Sequence, residues 1–138
     1  MDKIEFPVNH KDFYDKFTPW CNEMQNEKIP KEGVYILKST ISVPRCLKED
    51  KSGILYIGKG IIISSSSRLG KLINALNQTE GAHGGGVRFN DNKILEKYTI
   101  DTLSVEVILQ EKSRNLEIEK LNNYQLEFGE LPPLNNQN

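Results

Sequence analysis

Cysteine is scarce in this sequence, which holds only Cys21 and Cys46 among its 138 residues. Two cysteines so far apart cannot build a disulfide framework, and they lack the paired spacing of a zinc site. We interpret both as reduced thiols and expect a cytoplasmic protein.

Long apolar runs are absent as well. A membrane-spanning helix needs about 20 consecutive apolar residues, and no stretch of this sequence approaches that length. The first five residues, MDKIE, do not resemble a signal peptide. We therefore expect a soluble protein without a membrane partner.

The sequence also has no excess of positive charge. Its 18 lysines and arginines against 19 aspartates and glutamates give a formal net charge of −1. A protein held on a nucleic acid by bulk charge would be basic. Any function on a nucleic acid must therefore depend on a local basic patch or on a partner that brings the substrate.

The length of 138 residues is that of one domain with a single core. In the first thirty residues, aromatic and apolar side chains recur at spacings of three and four, which places them on one helical face. They are Phe13, Phe17, Trp20 and Met24. This pattern predicts a helix over 10–25 in an N-terminal extension, residues 1–30, that packs on the core.

Three later segments have the apolar composition or the alternation of β-strands. They are 34–38, 54–58 and 103–109. The connector between the first two, residues 39–53, is long for a hairpin loop, and loops of that length are often functional.

Two further helices are predicted from apolar periodicity and capping residues. The first runs from the serine run 64–67 to about Asn77, with a serine as its N-cap. Its apolar face consists of Leu69, Leu72, Ile73 and Leu76. The last helix is predicted over 113–128, with Ser113 as its cap and Gly129 as its stop. The fold class is therefore α/β in the broad sense, more narrowly α+β, with a small three-stranded, mostly antiparallel sheet flanked by helices.

Two tyrosines occupy neighbouring strands, each close to a glycine. The segments read Gly33-Val34-Tyr35 and Tyr56-Ile57-Gly58. Because side chains alternate along a strand, a hairpin can direct both phenols to the same face. A lone strand tyrosine is usually a packing residue, but glycine lets a backbone or a phosphate come close. The pair therefore predicts a polar surface suited to a phosphodiester.

Two basic residues follow the second tyrosine. Arg68 lies in the first turn of its predicted helix, and Lys59 directly follows Gly58. A helix N-terminus favours anions, and a guanidinium can bind two phosphate oxygens at once. A solvated surface arginine is the alternative, but the nearby lysine and serine run favour a phosphate site.

Glu117 is the candidate metal ligand. It shares one face of the last helix with three apolar residues, at spacings of four, seven and eleven: Leu121, Tyr124 and Phe128. Carboxylates rarely face inward unless they are paired or bind a metal. The alternative is a structural salt bridge to Arg68 or Lys59.

Two further polar residues have weak local patterns. His83 lies in the glycine-rich loop 81–86, which has neither metal-ligand spacing nor a GxGxxG phosphate motif. Asn135 follows two prolines and a leucine, a context that fits a simple turn residue. Their local sequence alone assigns no role to either residue.

Taken in order along the chain, these elements resemble the signature of the GIY-YIG nucleases. The matching positions are Gly33-Val34-Tyr35, Tyr56-Ile57-Gly58, Arg68, Glu117 and Asn135. The resemblance covers a family core over residues 33–135 and implies a GIY-YIG fold with an extra N-terminal helix. His83 resembles a histidine that some members place after the arginine.

The resemblance implies a divalent-metal-dependent endonuclease that hydrolyses DNA phosphodiester bonds. Glu117 would bind one Mg²⁺ or Mn²⁺ per site, and Arg68 would bind the phosphate and neutralise charge that develops on it. Tyr35 would accept a proton from the attacking water, with its pKa lowered by Lys59 or the metal. Tyr56 would position water or phosphate by hydrogen bonding.

The resemblance also assigns supporting roles and partners. His83 would assist proton transfer. The residues expected to contact the substrate or to brace the site are Gly33, Gly58, Lys59 and Asn135. DNA is the implied partner, and cleavage of both strands would require a homodimer or sequential nicking, while a partner protein could supply specificity.

Two other functions are compatible with the same residues. One is a non-catalytic module that binds DNA for a partner on a GIY-YIG scaffold, which the near-neutral charge favours. The inward carboxylate argues against it, because a pure binder does not need an acid near a phosphate. The other is a small scaffold or inhibitor protein that uses the helix over 10–25 as an interaction surface.

Overall fold

The computed structural model describes residues 3–64, 67–77 and 96–135. Within these ranges four strands form one antiparallel sheet. They are β1 (Lys3–Pro7), β2 (Glu32–Ser39), β3 (Ile54–Ile61) and β4 (Leu103–Leu109). Their order across the sheet is β1-β4-β2-β3, so β1 and β3 are its edge strands.

Three helices flank the sheet, which confirms the predicted α+β class. They are α1 (His10–Met24), α2 (Arg68–Leu76) and α3 (Ser113–Phe128). A short 3₁₀ helix, Ile100–Thr102, leads into β4. None of the helices in the described ranges has the length and apolar composition needed to cross a bilayer.

The prediction of three strands is wrong, because β1 adds a fourth. Its register pairs Lys3 with Ile108 and Pro7 with Ser104. Phe6 is the one buried residue of this strand, so its five residues carry too little apolar alternation to predict it. The N-terminal extension therefore supplies a strand as well as the predicted helix.

The sheet separates two apolar layers. On one face, α1 and α2 cover a large cluster that includes Phe6, Tyr35 and Leu37. On the other face, α3 covers a smaller cluster through Leu116 and Leu121. The sheet residues of that smaller cluster are Val34, Ile36, Ile57 and Ile108. Successive residues of β2 thus point to opposite layers, as the strand period predicts.

The connector between β2 and β3 is anchored by a buried carboxylate. Asp50 is fully buried, and its side chain accepts hydrogen bonds from the backbone N–H of Ser52 at 2.9 Å and of Ile54 at 3.1 Å. The hydroxyl of Tyr124 in α3 donates to the same carboxylate at 2.8 Å. The connector is therefore held against α3.

Candidate active site

The two tyrosines lie side by side on the sheet face that α1 and α2 cover. Tyr35 of β2 is opposite Gly58 of β3, and Tyr56 is opposite Leu37. Since directly opposed residues of an antiparallel pair share a face, both phenols point the same way. Their ring centroids are 6.1 Å apart, so the pairing that the sequence predicts is present.

Gly58 is required for this arrangement. A Cβ atom at this position would lie 2.7 Å from Cζ of Tyr35 and 2.7 Å from Cε2 of Tyr56. The space above Gly58 is thus occupied by the two rings, which gives this glycine a packing role. Gly33 also has a packing reason, because its Cβ would lie 2.2 Å from the carbonyl oxygen of Ile108. Contact of either glycine with a substrate stays a prediction.

Arg68 closes over the tyrosines from the start of α2. It is the first residue of the helix, and the Ser67 side chain caps that helix by accepting a hydrogen bond from the Gly70 N–H at 3.0 Å. The Arg68 guanidinium donates hydrogen bonds to the hydroxyls of Tyr35 and Tyr56, and these contacts raise its pKa further. Arg68 therefore stays a cation that two phenol oxygens orient.

A second glycine on β3 makes room for this arginine. A Cβ atom at Gly60 would lie 3.2 Å from Cδ of Arg68, which is tight for the aliphatic part of the side chain. Gly58 and Gly60 alternate on one face of the strand, and that spacing was a signal in the sequence.

The pKa of Tyr35 is shifted in the opposite direction from the one predicted for a proton acceptor. It is 0% exposed, and burial raises its pKa above the ordinary value for a phenol, with Arg68 opposing the rise. Lys59, which was expected to lower this pKa, is not among the groups that act on it. In the protein alone, desolvation outweighs the neighbouring positive charge of Arg68 and raises this pKa. A lowering of the pKa by a bound metal stays a prediction.

Glu117 lies one turn into α3, at the end of the helix nearest these groups. The side chain is half-buried, and burial raises the pKa of its carboxyl while Lys59, Arg68 and Arg114 lower it. Within the part of the chain that the structure describes, it makes no hydrogen bond or ion pair. The carboxylate thus faces positive charge without direct contact, and no salt bridge to Arg68 or Lys59 appears in this part of the chain.

This environment fits a divalent cation. No group of three acidic, histidine or cysteine side chains among the described residues could enclose a metal ion. Mg²⁺, however, is usually held by one or two carboxylates together with water and substrate phosphate. A half-buried carboxylate with no hydrogen-bond or ion-pair partner among residues 3–64, 67–77 and 96–135 is a suitable single protein ligand for such an ion.

Lys59 points away from the tyrosines. It lies opposite Val34 in the hairpin and therefore on the face that α3 covers. Its charge lowers the pKa of Glu117 and of Glu32. Lys59 thus belongs to the carboxylate side of the site rather than to the tyrosine side.

Glu32, to which no sequence motif points, fixes the start of α3. Its Oε1 accepts hydrogen bonds from the Ser113 N–H at 2.7 Å and from the Ser113 hydroxyl at 2.9 Å. Ser113 is therefore the first residue of the helix rather than the predicted cap. The cap position falls on Lys112, a non-glycine residue at a φ of 53°. Its side chain makes no capping hydrogen bond, and the Ser113 N–H donates to Glu32 of β2 instead. No local signal reveals a contact between residues so distant in the sequence.

Asn135 is attached to the outer edge of β3. Its Oδ1 accepts from the Ile57 N–H at 3.0 Å, and its Nδ2 donates to the Ile57 carbonyl at 2.8 Å. The Leu134 N–H likewise donates to the carbonyl of Leu55 at 2.9 Å. The side chain therefore pairs with the strand between Tyr56 and Gly58, a position that suits bracing better than substrate contact.

His83 lies outside the described residues, so its predicted part in proton transfer stays a prediction. The described residues define a small α+β domain in which two phenols orient the Arg68 guanidinium at the start of α2. The half-buried carboxylate of Glu117, near the start of α3, is close enough to interact electrostatically with Arg68 and Tyr35. No family model, no curated protein and no solved structure matches the chain.

Proposed function

We propose that this protein is a divalent-metal-dependent endonuclease with a GIY-YIG fold and active site, and that it hydrolyses DNA phosphodiester bonds. The observation that carries the proposal is the pairing of Arg68, held by two phenols, with the half-buried carboxylate of Glu117. The order of these residues in the sequence, which resembles that family, supports it.

Arg68 would bind the scissile phosphate. A guanidinium has five N–H donors, and the hydroxyls of Tyr35 and Tyr56 accept from it. The remaining donors can form a bidentate contact with two phosphate oxygens. Because the tyrosines already hold the guanidinium in place, little side-chain freedom is lost when the phosphate binds.

Glu117 would hold one Mg²⁺ or Mn²⁺ ion next to that phosphate. When bound, the ion polarises the phosphate and neutralises charge on the leaving oxygen. Lys59 and Arg114 act on the same carboxylate and favour its ionised form, which is the form that binds a cation.

Hydrolysis requires a water oxygen to bond to phosphorus while the bond from phosphorus to a sugar oxygen breaks and that oxygen takes up a proton. Tyr56 is 8% exposed and Tyr35 is 0% exposed, so we assign the positioning of water to Tyr56, the more accessible residue. Tyr35 is buried with a raised pKa, so we assign it the orientation of Arg68. His83, to which the resemblance gives an assisting part in proton transfer, would then accept the proton of water in place of Tyr35.

A non-catalytic DNA-binding module remains the second candidate. The observation that favours it is the raised pKa of Tyr35, since a site without a need for proton transfer tolerates a fully protonated phenol.

Cleavage of plasmid DNA with Mg²⁺ separates the two functions. We expect Arg68→Ala and Glu117→Ala each to lower the cleavage rate by roughly 100-fold or more, the scale for loss of a group that stabilises transition-state charge. Glu117→Ala should retain DNA binding in a gel-shift assay without metal.

The matched controls are exposed residues on the same helices, Lys71→Ala for α2 and Glu119→Ala for α3. Both should cleave like the parent protein. Parent-like cleavage by both site variants would contradict the assignment, and a parent protein that binds DNA but never cuts it would support the binding module.

A further inference from the structure

A second concave site lies between α1 and the segment that leads into α2. Its volume is about 390 Å³, near the lower end of the roughly 300–1,000 Å³ of ligand pockets. Phe17, Thr18 and Asn22 line it from α1, and Ser67 lines it from the α2 side. A space of this size holds one small ring system rather than a peptide or a folded partner.

The lining of this site carries no charged side chain among the described residues. Two groups in it can ionise, and burial raises the pKa of both, that of the Cys21 thiol to about 11 and that of the Tyr14 phenol in the same direction. Both therefore stay neutral at physiological pH. A pocket without charged side chains favours an uncharged ligand over a free phosphate or a carboxylate.

Several polar groups of the pocket are available to a ligand. The side chains of Thr18, Asn22 and Gln25 line it and form no hydrogen bond within the part of the chain that the structure describes. A carboxamide presents a donor and an acceptor in one plane, which is the geometry that reads the edge of a nucleobase. The Phe17 ring offers an apolar surface beside these groups.

The position of the pocket connects it to the candidate active site. Ser67 lines the pocket and caps α2, and the next residue in the chain is Arg68, whose guanidinium contacts the two tyrosines. The pocket and the guanidinium thus involve consecutive residues at the start of α2, so a ligand in the pocket and a phosphate held by Arg68 can belong to one molecule. In a nucleic acid, the group next to a backbone phosphate is a sugar with its base.

We propose that this pocket binds one unpaired nucleobase of the DNA strand whose phosphate lies at Arg68. This inference rests on the proposed function and deepens it by naming a substrate class, which is DNA that presents an unpaired base beside the cut. Such bases occur in single strands, branches and mismatches, and a duplex would have to release one from its stack.

The pocket can be tested without cleavage, in the absence of metal. The probe is a set of oligonucleotides with 2-aminopurine at successive positions, whose fluorescence changes when the base leaves the stack and enters a protein pocket. We expect the parent protein to change the signal at one position. Thr18→Trp, which fills the pocket, and Asn22→Leu, which removes its carboxamide, should abolish that change and weaken binding roughly tenfold, the scale of one base contact.

Glu23→Leu is the matched control, because Glu23 is the exposed neighbour of Asn22 on α1 and does not line the pocket. It should behave like the parent. Thr18 and Asn22 are both exposed, so the two variants should fold, and a thermal melt of each checks this. If both variants keep the parent signal at the same position, the inference is wrong.

Two further readouts separate the outcomes. Free 2-aminopurine nucleoside at the same concentration should give no fluorescence change with the protein. If the free nucleoside instead gives a saturable change that Thr18→Trp removes, the pocket binds nucleosides and the link to a DNA strand is wrong. A parent protein that shows the base signal but never cuts DNA contradicts the proposed function alone. One that cuts DNA with no pocket-dependent signal contradicts the pocket alone.

Discussion

A carboxylate lies near each end of α3, and the two carboxylates differ in burial and in hydrogen bonding. Near the C-terminal end, Asp50 is fully buried and accepts hydrogen bonds from Ser52, Ile54 and Tyr124. Near the N-terminal end, Glu117 is half-buried and has no hydrogen bond or ion pair in the described part of the chain.

The difference distinguishes a carboxylate that serves the fold from one that serves a ligand. Several donors already form hydrogen bonds with the carboxylate oxygens of Asp50, so a cation would have to displace them in order to bind there. Glu117 bears the cost of partial burial, seen in its raised pKa, which the charges of Lys59, Arg68 and Arg114 offset only in part. No described residue forms a hydrogen bond or an ion pair with it. A group in that state is a candidate for function, because a bound cation would supply the missing interaction.

The sharpest test of this comparison is to neutralise each carboxylate in turn. Asp50→Asn should lower the free energy of unfolding by about 2–4 kcal/mol, because it removes charge-assisted hydrogen bonds and leaves buried donors poorly satisfied. Glu117→Gln should lower the cleavage rate by roughly 100-fold or more without loss of stability. Urea unfolding and plasmid cleavage measure the two effects. The comparison fails if both variants lose mainly stability.

Glu32 offers a smaller effect that connects β2 to the start of α3. Glu32→Ala removes the acceptor of the Ser113 N–H and should lower the free energy of unfolding slightly, as loss of a helix cap does. Since Glu117 is one turn further along α3, the loss should also raise the Mg²⁺ concentration needed for half-maximal cleavage, with DNA affinity unchanged.

A purely structural role for Glu32 predicts lower stability with an unchanged Mg²⁺ requirement. Glu32→Gln keeps an oxygen acceptor and should restore most of the Mg²⁺ response. Glu111→Ala changes an exposed acid next to the helix start and should match the parent in both measurements.

The smallest expected effect is a shift with pH. Burial raises the pKa of Glu117 above its ordinary value of 4.5, and the protonated carboxyl cannot bind a cation. Apparent Mg²⁺ affinity should therefore fall as the pH drops through this raised pKa, at a higher pH than an exposed glutamate would give. The sign for stability is the reverse: this group favours folding below its unfolded-state pKa and loses that contribution as the pH rises through the folded one.

Titration of Mg²⁺ binding across pH 4–8 by calorimetry, in the presence of a DNA oligonucleotide, would reveal this shift. Glu117→Gln should remove the dependence. If the variant retains the same pH dependence as the parent, another group controls the metal.

Local sequence patterns predicted the parts of this fold that depend on nearest neighbours. The third predicted strand has the bounds of β4, Leu103–Leu109, because its alternation is regular. The helix at Arg68 begins after a serine cap as expected. The inward direction of Glu117 followed from its spacing to Tyr124 and Phe128, both of which are buried.

The missed features depend on contacts between distant parts of the chain. β1 has one buried residue and gains its hydrogen bonds from β4, so its own composition does not reveal it. Asp50 looks like any acid in a polar connector until Tyr124 covers it. Its position just before Ser52 and Gly53 is typical of a turn in which an aspartate accepts local N–H groups, and this was the one usable signal.

The most direct test of the central claim is to locate Mn²⁺ by paramagnetic broadening of backbone amide resonances, with a phosphorothioate oligonucleotide bound. We predict broadening centred on Glu117 and extending to Lys59 and Arg68, and its loss in Glu117→Gln. Broadening centred on the connector around Asp50, or a pattern that the Gln variant leaves unchanged, would contradict the account.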